Sequence, residues 1–84
     1  MKIVYEPMEQ QDGFAIRRFI DDGRPSYVKK VYRGQYEFTS DHTYAKHFAL
    51  VNAMSHIAIL ASRDLGDHPG TADYITVKVT RRNG

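Results

Sequence analysis

The chain has 84 residues, of which 42% are hydrophobic and 26% charged, so we expect one globular domain rather than a disordered chain. It contains no cysteine, which excludes disulfide bonds and thiolate metal sites, and no apolar run of about 18 residues, so no membrane-spanning helix is expected. The formal net charge of +2 is too small to indicate a partner by itself. The N-terminal residues lack the apolar core of a signal peptide, and together with the absence of cysteine this predicts a cytoplasmic protein.

Short segments rich in β-branched and aromatic residues predict a series of strands separated by turns. The expected strands cover residues 2–7, 14–20 and 27–32. Arg33-Gly34 has turn chemistry, but the third strand is expected to continue past Gly34 to residue 38. The pairs Asp12-Gly13 and Asp22-Gly23 predict hairpins that join these three strands, because Asp-Gly is a preferred hairpin turn.

One long helix is the strongest prediction, because residues 42–65 contain neither Gly nor Pro and carry apolar side chains at spacings of three and four. Thr39, Ser40 and Asp41 are all suitable N-caps, and Gly66 suits the position after the helix end. The residues expected to face the sheet are Phe48, Val51, Met54, Ile57, Ala58 and Ala61.

A final strand is predicted over residues 74–82, where Ile75, Val77 and Val79 alternate with polar residues. The predicted fold class is α+β: an antiparallel β-meander followed by one long helix and a final strand (β-β-β-α-β). The helix should pack on one sheet face, and a right-handed crossover would make the final strand parallel to the third.

No residue pattern typical of catalysis, of a metal or of a cofactor is present. The histidines of the predicted helix are five and nine residues apart, whereas helical metal ligands lie three or four apart. There is no nucleophile motif and no glycine-rich phosphate loop. Residues 64–70 hold two carboxylates and one imidazole, which suit either a cation or base site or, as we favour, a helix end and turn. We therefore predict a protein that is not an enzyme, with no catalytic, cofactor-binding or metal-binding residues.

A wide apolar helix surface and six tyrosines favour protein binding. Tyrosine commonly anchors interfaces, and surplus apolar area on a small domain usually contacts a partner or a second copy. The residues proposed for this contact are Tyr44, Leu50, Met54 and Ile59. The alternative interpretation is that the tyrosines only line a two-sided sheet, as their β-propensity favours.

Basic and aromatic side chains on the strands indicate a second candidate function, nucleic-acid binding. If the helix covers one face of the sheet, alternate strand residues point to the other, open face. The residues expected to bind nucleic acid there are Arg17, Lys30, Tyr32, Lys78 and Arg82. Such a face can stack bases and pair phosphates, although strand Lys and Arg also prevent edge aggregation.

A local resemblance adds a biological setting. The segment Tyr36-Glu37-Phe38-Thr39, followed by Ala45-Lys46-His47-Phe48 and by Ala53, resembles a pattern of small, mostly uncharacterised phage and prophage proteins. In those proteins a strand ending in Phe-Thr leads into a helix. The resemblance implies a mobile-element origin and, because small phage proteins often bind host proteins, a role such as inhibition of host defence. It carries no catalytic residue.

Overall fold

The computed structural model describes residues 2–67 and the backbone of residues 74–77. Four antiparallel strands and one α-helix form an α+β fold, as the sequence predicts. The elements of this part are β1 (Lys2–Gln10), β2 (Gly13–Ile20), β3 (Ser26–Tyr32), β4 (Gln35–Thr39), a 3-10 turn (His42–Tyr44) and α1 (Leu50–Asp67). Strands β1 to β4 lie side by side in chain order, and α1 packs on β1 and β2.

The meander has four strands rather than three, because the predicted third strand reverses at Arg33-Gly34. Both residues have positive φ angles, 51° and 75°, as a two-residue type I′ turn requires. Tyr32 and Gln35 pair directly across this turn. The prediction that the third strand continues past Gly34 is therefore wrong, whereas the predicted hairpins before and after β2 are confirmed.

Residues 45–49, which we call the bridging segment, are hydrogen-bonded to both β2 and β3. Among the described residues these two strands pair directly at only two positions. Farther along, Phe14 and Phe48 exchange two backbone hydrogen bonds of 2.8 Å, and the Lys46 N–H donates to the Val28 carbonyl at 2.9 Å. The bridging segment thus satisfies backbone groups that the two strands leave unpaired where they separate.

Helix α1 begins at Leu50, eight residues later than predicted from His42. Asp41 caps the 3-10 turn instead: its carboxylate accepts hydrogen bonds from the Thr43 hydroxyl at 2.7 Å and the Thr43 N–H at 2.9 Å, which lower the pKa of Asp41. The segment that the phage resemblance places in a helix is the bridging segment, which is not helical. At its other end α1 extends to Asp67, so Gly66 lies within the helix.

The core lies between α1 and the face of the sheet that it covers. Its buried residues are Ile3, Tyr5, Ile16, Val28, Phe48, Ala53, Ile57 and Leu60. Of the predicted sheet-facing helix residues, Ile57 is fully buried, Met54 and Ala61 are partly buried, and Val51 and Ala58 are exposed. The predicted stripe is therefore rotated relative to the observed one.

The final strand stays a prediction over its full length. The backbone of Tyr74–Val77, labelled β5, lies parallel to β1, with Lys2 beside Tyr74 and Tyr5 beside Val77. Residues 78–82 of the predicted strand lie outside the described residues. In the part of the chain that the structure describes, no helix is long and apolar enough to cross a membrane.

Candidate functional site

One side of α1 carries a row of apolar residues that are exposed or, at Met54, partly buried, which we call the apolar strip. It consists of Leu50, Val51, Met54, Ala58 and Leu65. At about 100° of rotation per residue, these five positions fall within roughly 100° of the helix circumference, beside the buried stripe. The side chain of Val51 is 70% exposed and that of Leu65 is 56% exposed. The apolar surface of α1 is thus about twice as wide as the part that the sheet covers.

The residues predicted to bind protein do not form one surface. Leu50 and Met54 lie together in the apolar strip. Ile59 is exposed, but it lies about 180° around the helix from Leu50. Tyr44 is exposed in the 3-10 turn, before α1 begins. Val51 belongs to the surface although the sequence predicted it to face the sheet.

On the open face of the sheet, Arg17 is held by a carboxylate. Strand register places Arg17 opposite Glu6, and their side chains form an ion pair. The Glu6 side chain is only 7% exposed, so removing Arg17 to bind a phosphate would leave a nearly buried charge unpaired. Glu6 and Asp22, with Val4 and Phe19, also line a cavity of about 280 Å³ on this face. Its two carboxylates make this end of the face unfavourable for phosphate.

Lys30 and Tyr32, also predicted to bind nucleic acid, lie together at the other end of the sheet. The Lys30 Nζ lies 5.7 Å from the centre of the Tyr32 ring, and the Arg33 Cζ lies 5.3 Å from the same centre. The other two predicted residues, Lys78 and Arg82, lie outside the described residues. The structure therefore brings together two of the five and adds Arg33, which the sequence analysis did not include.

Within residues 2–67, three polar side-chain contacts hold α1 against the sheet. The buried Tyr5 hydroxyl donates to Asp64, and burial, reinforced by this carboxylate, raises the pKa of Tyr5 well above its ordinary value. The Tyr36 hydroxyl lies 2.7 Å from His56 Nδ1, and burial raises the pKa of Tyr36 as well. The third contact is a hydrogen bond of 2.6 Å from Arg63 Nη1 to the Gly34 carbonyl.

These polar contacts have a structural role. A phenol whose pKa is raised keeps its proton and acts as a donor, not as a base. Tyr5 is fully buried, so a substrate has no access to it. Asp64, which the sequence placed in a candidate cation or base site, is used in the contact with Tyr5. Within residues 2–67, no three His, Asp or Glu side chains are grouped closely enough to hold a metal ion.

The described residues define a class of fold: an antiparallel four-stranded meander with a single helix packed on β1 and β2. No protein-family model, no curated protein and no solved structure matches this chain. The apolar strip and the β3–β4 end of the sheet are therefore the features from which a function can be inferred.

Proposed function

We propose that this chain is a non-enzymatic binding protein that acts through protein–protein contacts. The apolar strip supports this proposal, because Val51 and Leu65 expose most of their side-chain surface over four turns of one helix. Burying an aliphatic side chain of this size contributes about 1.5–3 kcal/mol. Contiguous exposed apolar surface on a small protein usually marks an interaction site.

The pattern of the apolar strip fits a second copy of the same chain. Val51 lies seven residues before Ala58, and Leu65 lies seven residues after it. If two α1 helices pack antiparallel about a twofold axis at Ala58, Val51 of each copy contacts Leu65 of the other. The small side chain of Ala58 lets the helix axes approach closely at the crossing point. The strip contains no charged residue, so this pairing brings no like charges together.

Substitution of Ala58 tests this dimer, and substitution of the next residue, Ile59, is the control. Ala58→Arg places a charge at the proposed twofold axis and should convert the dimer to a monomer. Ile59→Arg adds the same charge at an exposed position about 100° around α1 from Ala58, outside the apolar strip, and should leave the dimer intact. Light scattering coupled to size exclusion measures both masses, and circular dichroism confirms that both variants fold. A wild-type chain that stays monomeric at high concentration, or an Ala58→Arg variant that stays dimeric, overturns the proposed interface.

We further propose that the protein is cytoplasmic, encoded by a phage or mobile element, and directed at a host protein, including as an inhibitor of host defence. This rests on the resemblance of Tyr36–Thr39 and of Ala45–Phe48 to phage proteins. The genomic neighbourhood tests the origin: phage genes on both sides are expected, and a stable location among housekeeping genes contradicts it.

For the fold, we propose that the predicted last strand, residues 74–82, completes the sheet beside β1. The parallel placement of the Tyr74–Val77 backbone supports this topology. Slow amide exchange that continues through residue 82 is the expected result, and fast exchange throughout residues 74–82 contradicts the proposal.

A further inference from the structure

Among the described residues, the cations near the β3–β4 turn form no ion pair with a carboxylate, unlike several other cations. Lys2, Arg17 and Lys29 form ion pairs with Asp22, Glu6 and Glu37. Within the described part of the chain, no carboxylate forms an ion pair with Lys30, Arg33 or Arg63. Because Arg63 donates to the carbonyl of Gly34, the helix brings a third cation to this turn. We call Lys30, Tyr32, Arg33 and Arg63 the turn cluster.

An exposed aromatic ring lies among these cations. Tyr32 is 59% exposed, and both Lys30 and Arg33 lie within 6 Å of its ring centre. A shallow cavity of about 220 Å³ adjoins it, lined by Lys30, Tyr32, Gln35, Tyr36 and Glu37. An accessible ring beside unpaired cations matches the requirements of single-stranded nucleic acid, which offers a base face for stacking next to a phosphate.

The backbone conformation of Arg33 indicates that the turn itself does not require an arginine side chain. Its φ is 51°, in the left-handed region that non-glycine residues rarely adopt. The first central position of a type I′ turn favours Asn, Asp or Gly. A residue that is unfavourable for its local conformation is often kept for its function. Here the turn places the arginine against the exposed ring of Tyr32.

We propose that the turn cluster binds single-stranded nucleic acid, with a base stacked on Tyr32 and adjacent phosphates paired with Lys30 and Arg33. Arg63 adds positive charge at the same turn. It lies roughly 170° around α1 from the middle of the apolar strip, so pairing through the strip leaves this site accessible. The site is therefore separate from the proposed protein contact, and either one can fail without the other.

The charge arrangement also predicts how one carboxylate opposes binding. Glu37 lines the cavity and lies 3.7 Å from Lys29 Nζ. Glu37→Gln removes a negative charge from the site and frees Lys29 for a phosphate. This variant should therefore bind single-stranded nucleic acid about three- to tenfold more tightly than the wild type.

A pair of charge-reversal variants tests the site, with a fluorescent oligothymidylate of about 12 nucleotides as the probe. Arg33→Glu should weaken binding about tenfold or more, as measured by fluorescence anisotropy at low salt. Arg24→Glu makes the same change in net charge at the exposed turn at the other end of β3, and should change binding less than about twofold. No binding by the wild type, or equal losses in both variants, overturns the proposal.

Two further measurements distinguish nucleic acid from a general polyanion. Tyr32→Ala should weaken binding of the oligothymidylate at least about fivefold, because it removes the stacking surface while keeping every cation. The logarithm of the wild-type binding constant should fall with the logarithm of salt concentration with a slope of about −1.4, as expected for two phosphate contacts on a single strand. An unchanged affinity in Tyr32→Ala would show a polyanion site and overturn the assignment to nucleic acid.

Arg33→Asn separates the role of the side chain from that of the turn. Asn is favourable at this turn position, so the variant should melt at a higher temperature than the wild type. It removes the cation, so it should also bind the oligothymidylate several-fold more weakly. A variant that is more stable and binds equally well contradicts the role proposed for Arg33.

Discussion

At the residue scale, Gly13 has the least freedom to change among the described glycines. Its φ is 138°, and a Cβ placed there would lie 2.8 Å from the Phe48 carbonyl oxygen. Gly13→Ala therefore meets both a backbone conformation that side chains rarely adopt and a clash with the bridging segment. We expect a loss of about 2–4 kcal/mol in the free energy of unfolding, measured by urea denaturation.

Gly66→Ala is the matched control for this prediction. Gly66 lies in α1, and among the described residues no atom other than those of its chain neighbours and the adjacent helix backbone lies within 4 Å of the Cβ that the substitution adds. Alanine is the better helix former, so this variant should be unchanged or more stable by up to about 1 kcal/mol. Equal losses of stability in the two variants would show that the close contact between Gly13 and Phe48 does not determine which side chains are tolerated at residue 13.

Tyr5 should make the protein sensitive to alkaline pH. Its pKa is raised in the folded state, mainly by burial, whereas the unfolded chain ionises near the ordinary tyrosine value of about 10. Below that value the contribution of Tyr5 to stability is fully present. Above it the unfolded state loses a proton that the folded state keeps, so stability falls by up to about 1.4 kcal/mol per pH unit for this group.

Tyr5→Phe removes this titration. In urea denaturation between about pH 9 and pH 11, the stability of the variant should fall less steeply with pH than that of the wild type. Tyr44→Phe is the control, because Tyr44 is exposed and this substitution removes a phenol from the surface rather than from the core. Equal slopes for wild type and Tyr5→Phe would contradict the role assigned to Tyr5.

At the scale of elements, two substitutions that shorten side chains test which side of α1 faces the sheet. Ile57 is fully buried, and Ile57→Ala should cost about 2–4 kcal/mol because it leaves a cavity in the core. Val51 is 70% exposed, and Val51→Ala should change the stability of the monomer by less than about 0.5 kcal/mol. Both are measured at a protein concentration low enough to exclude association. A larger loss of stability from Val51→Ala than from Ile57→Ala would contradict the burial of Ile57 and the exposure of Val51.

The sequence predicted α1, but it predicted neither which side of the helix faces the sheet nor the residue at which the helix begins. Apolar residues occupy about half of the circumference of α1, so periodicity alone does not determine which part faces the sheet. The start is late because residues 45–49 use their backbone groups to pair with β2 and β3. Such long-range hydrogen bonds leave no local pattern, and they override the helix propensity of this segment.

The turns, too, could be predicted only in part from the sequence. Both hairpins that flank β2 were predicted correctly, but the Asp-Gly pairs are not their central residues. Gln10 pairs with Gly13 around Gln11-Asp12. The Gly23 N–H donates to the Ile20 carbonyl around Asp21-Asp22, which both have positive φ angles.

Arg33-Gly34 was recognised as a break with turn chemistry, but the third strand was expected to continue past it, and arginine is not a residue that a type I′ turn favours. The candidate nucleic-acid site was incomplete for the same reason: alternation along β3 placed Lys30 and Tyr32, but Arg33 lies on the missed turn. Arg63 comes from α1, 29 residues away from Gly34 in the chain, so no local pattern brings it to the site.

At the scale of the whole molecule, the sheet has a strongly paired half and a weakly attached half. Strands β1 and β2 pair at eight positions and are covered by α1. Strands β3 and β4 join them through two direct strand pairs, the bridging segment and contacts of the Arg18 side chain with Ser26 and Phe38. Among the described residues, the Tyr36 hydroxyl contacts His56, and Arg63 contacts both the Gly34 carbonyl and the Tyr36 ring, which ties β3 and β4 to α1. The half that carries the turn cluster is thus the half with fewer attachments.

This asymmetry predicts unequal amide exchange. Amides within the β3–β4 pair should exchange through a partial opening that costs less free energy than global unfolding, whereas those of β1 and β2 should require global unfolding. Tyr36→Phe removes the hydrogen bond to His56, and its loss should weaken the attachment by about 1 kcal/mol. Exchange in β3 and β4 should then be about fivefold faster.

The comparison between strands decides whether the Tyr36 contact acts locally. Tyr44→Phe removes an exposed hydroxyl and should leave all exchange rates unchanged, which controls for the loss of a phenol. If Tyr36→Phe accelerates exchange equally in all four strands, the sheet opens as one unit and the two halves are not independent. Acceleration confined to β3 and β4 would mean that the contact with α1 sets how often the turn cluster separates from the rest of the fold.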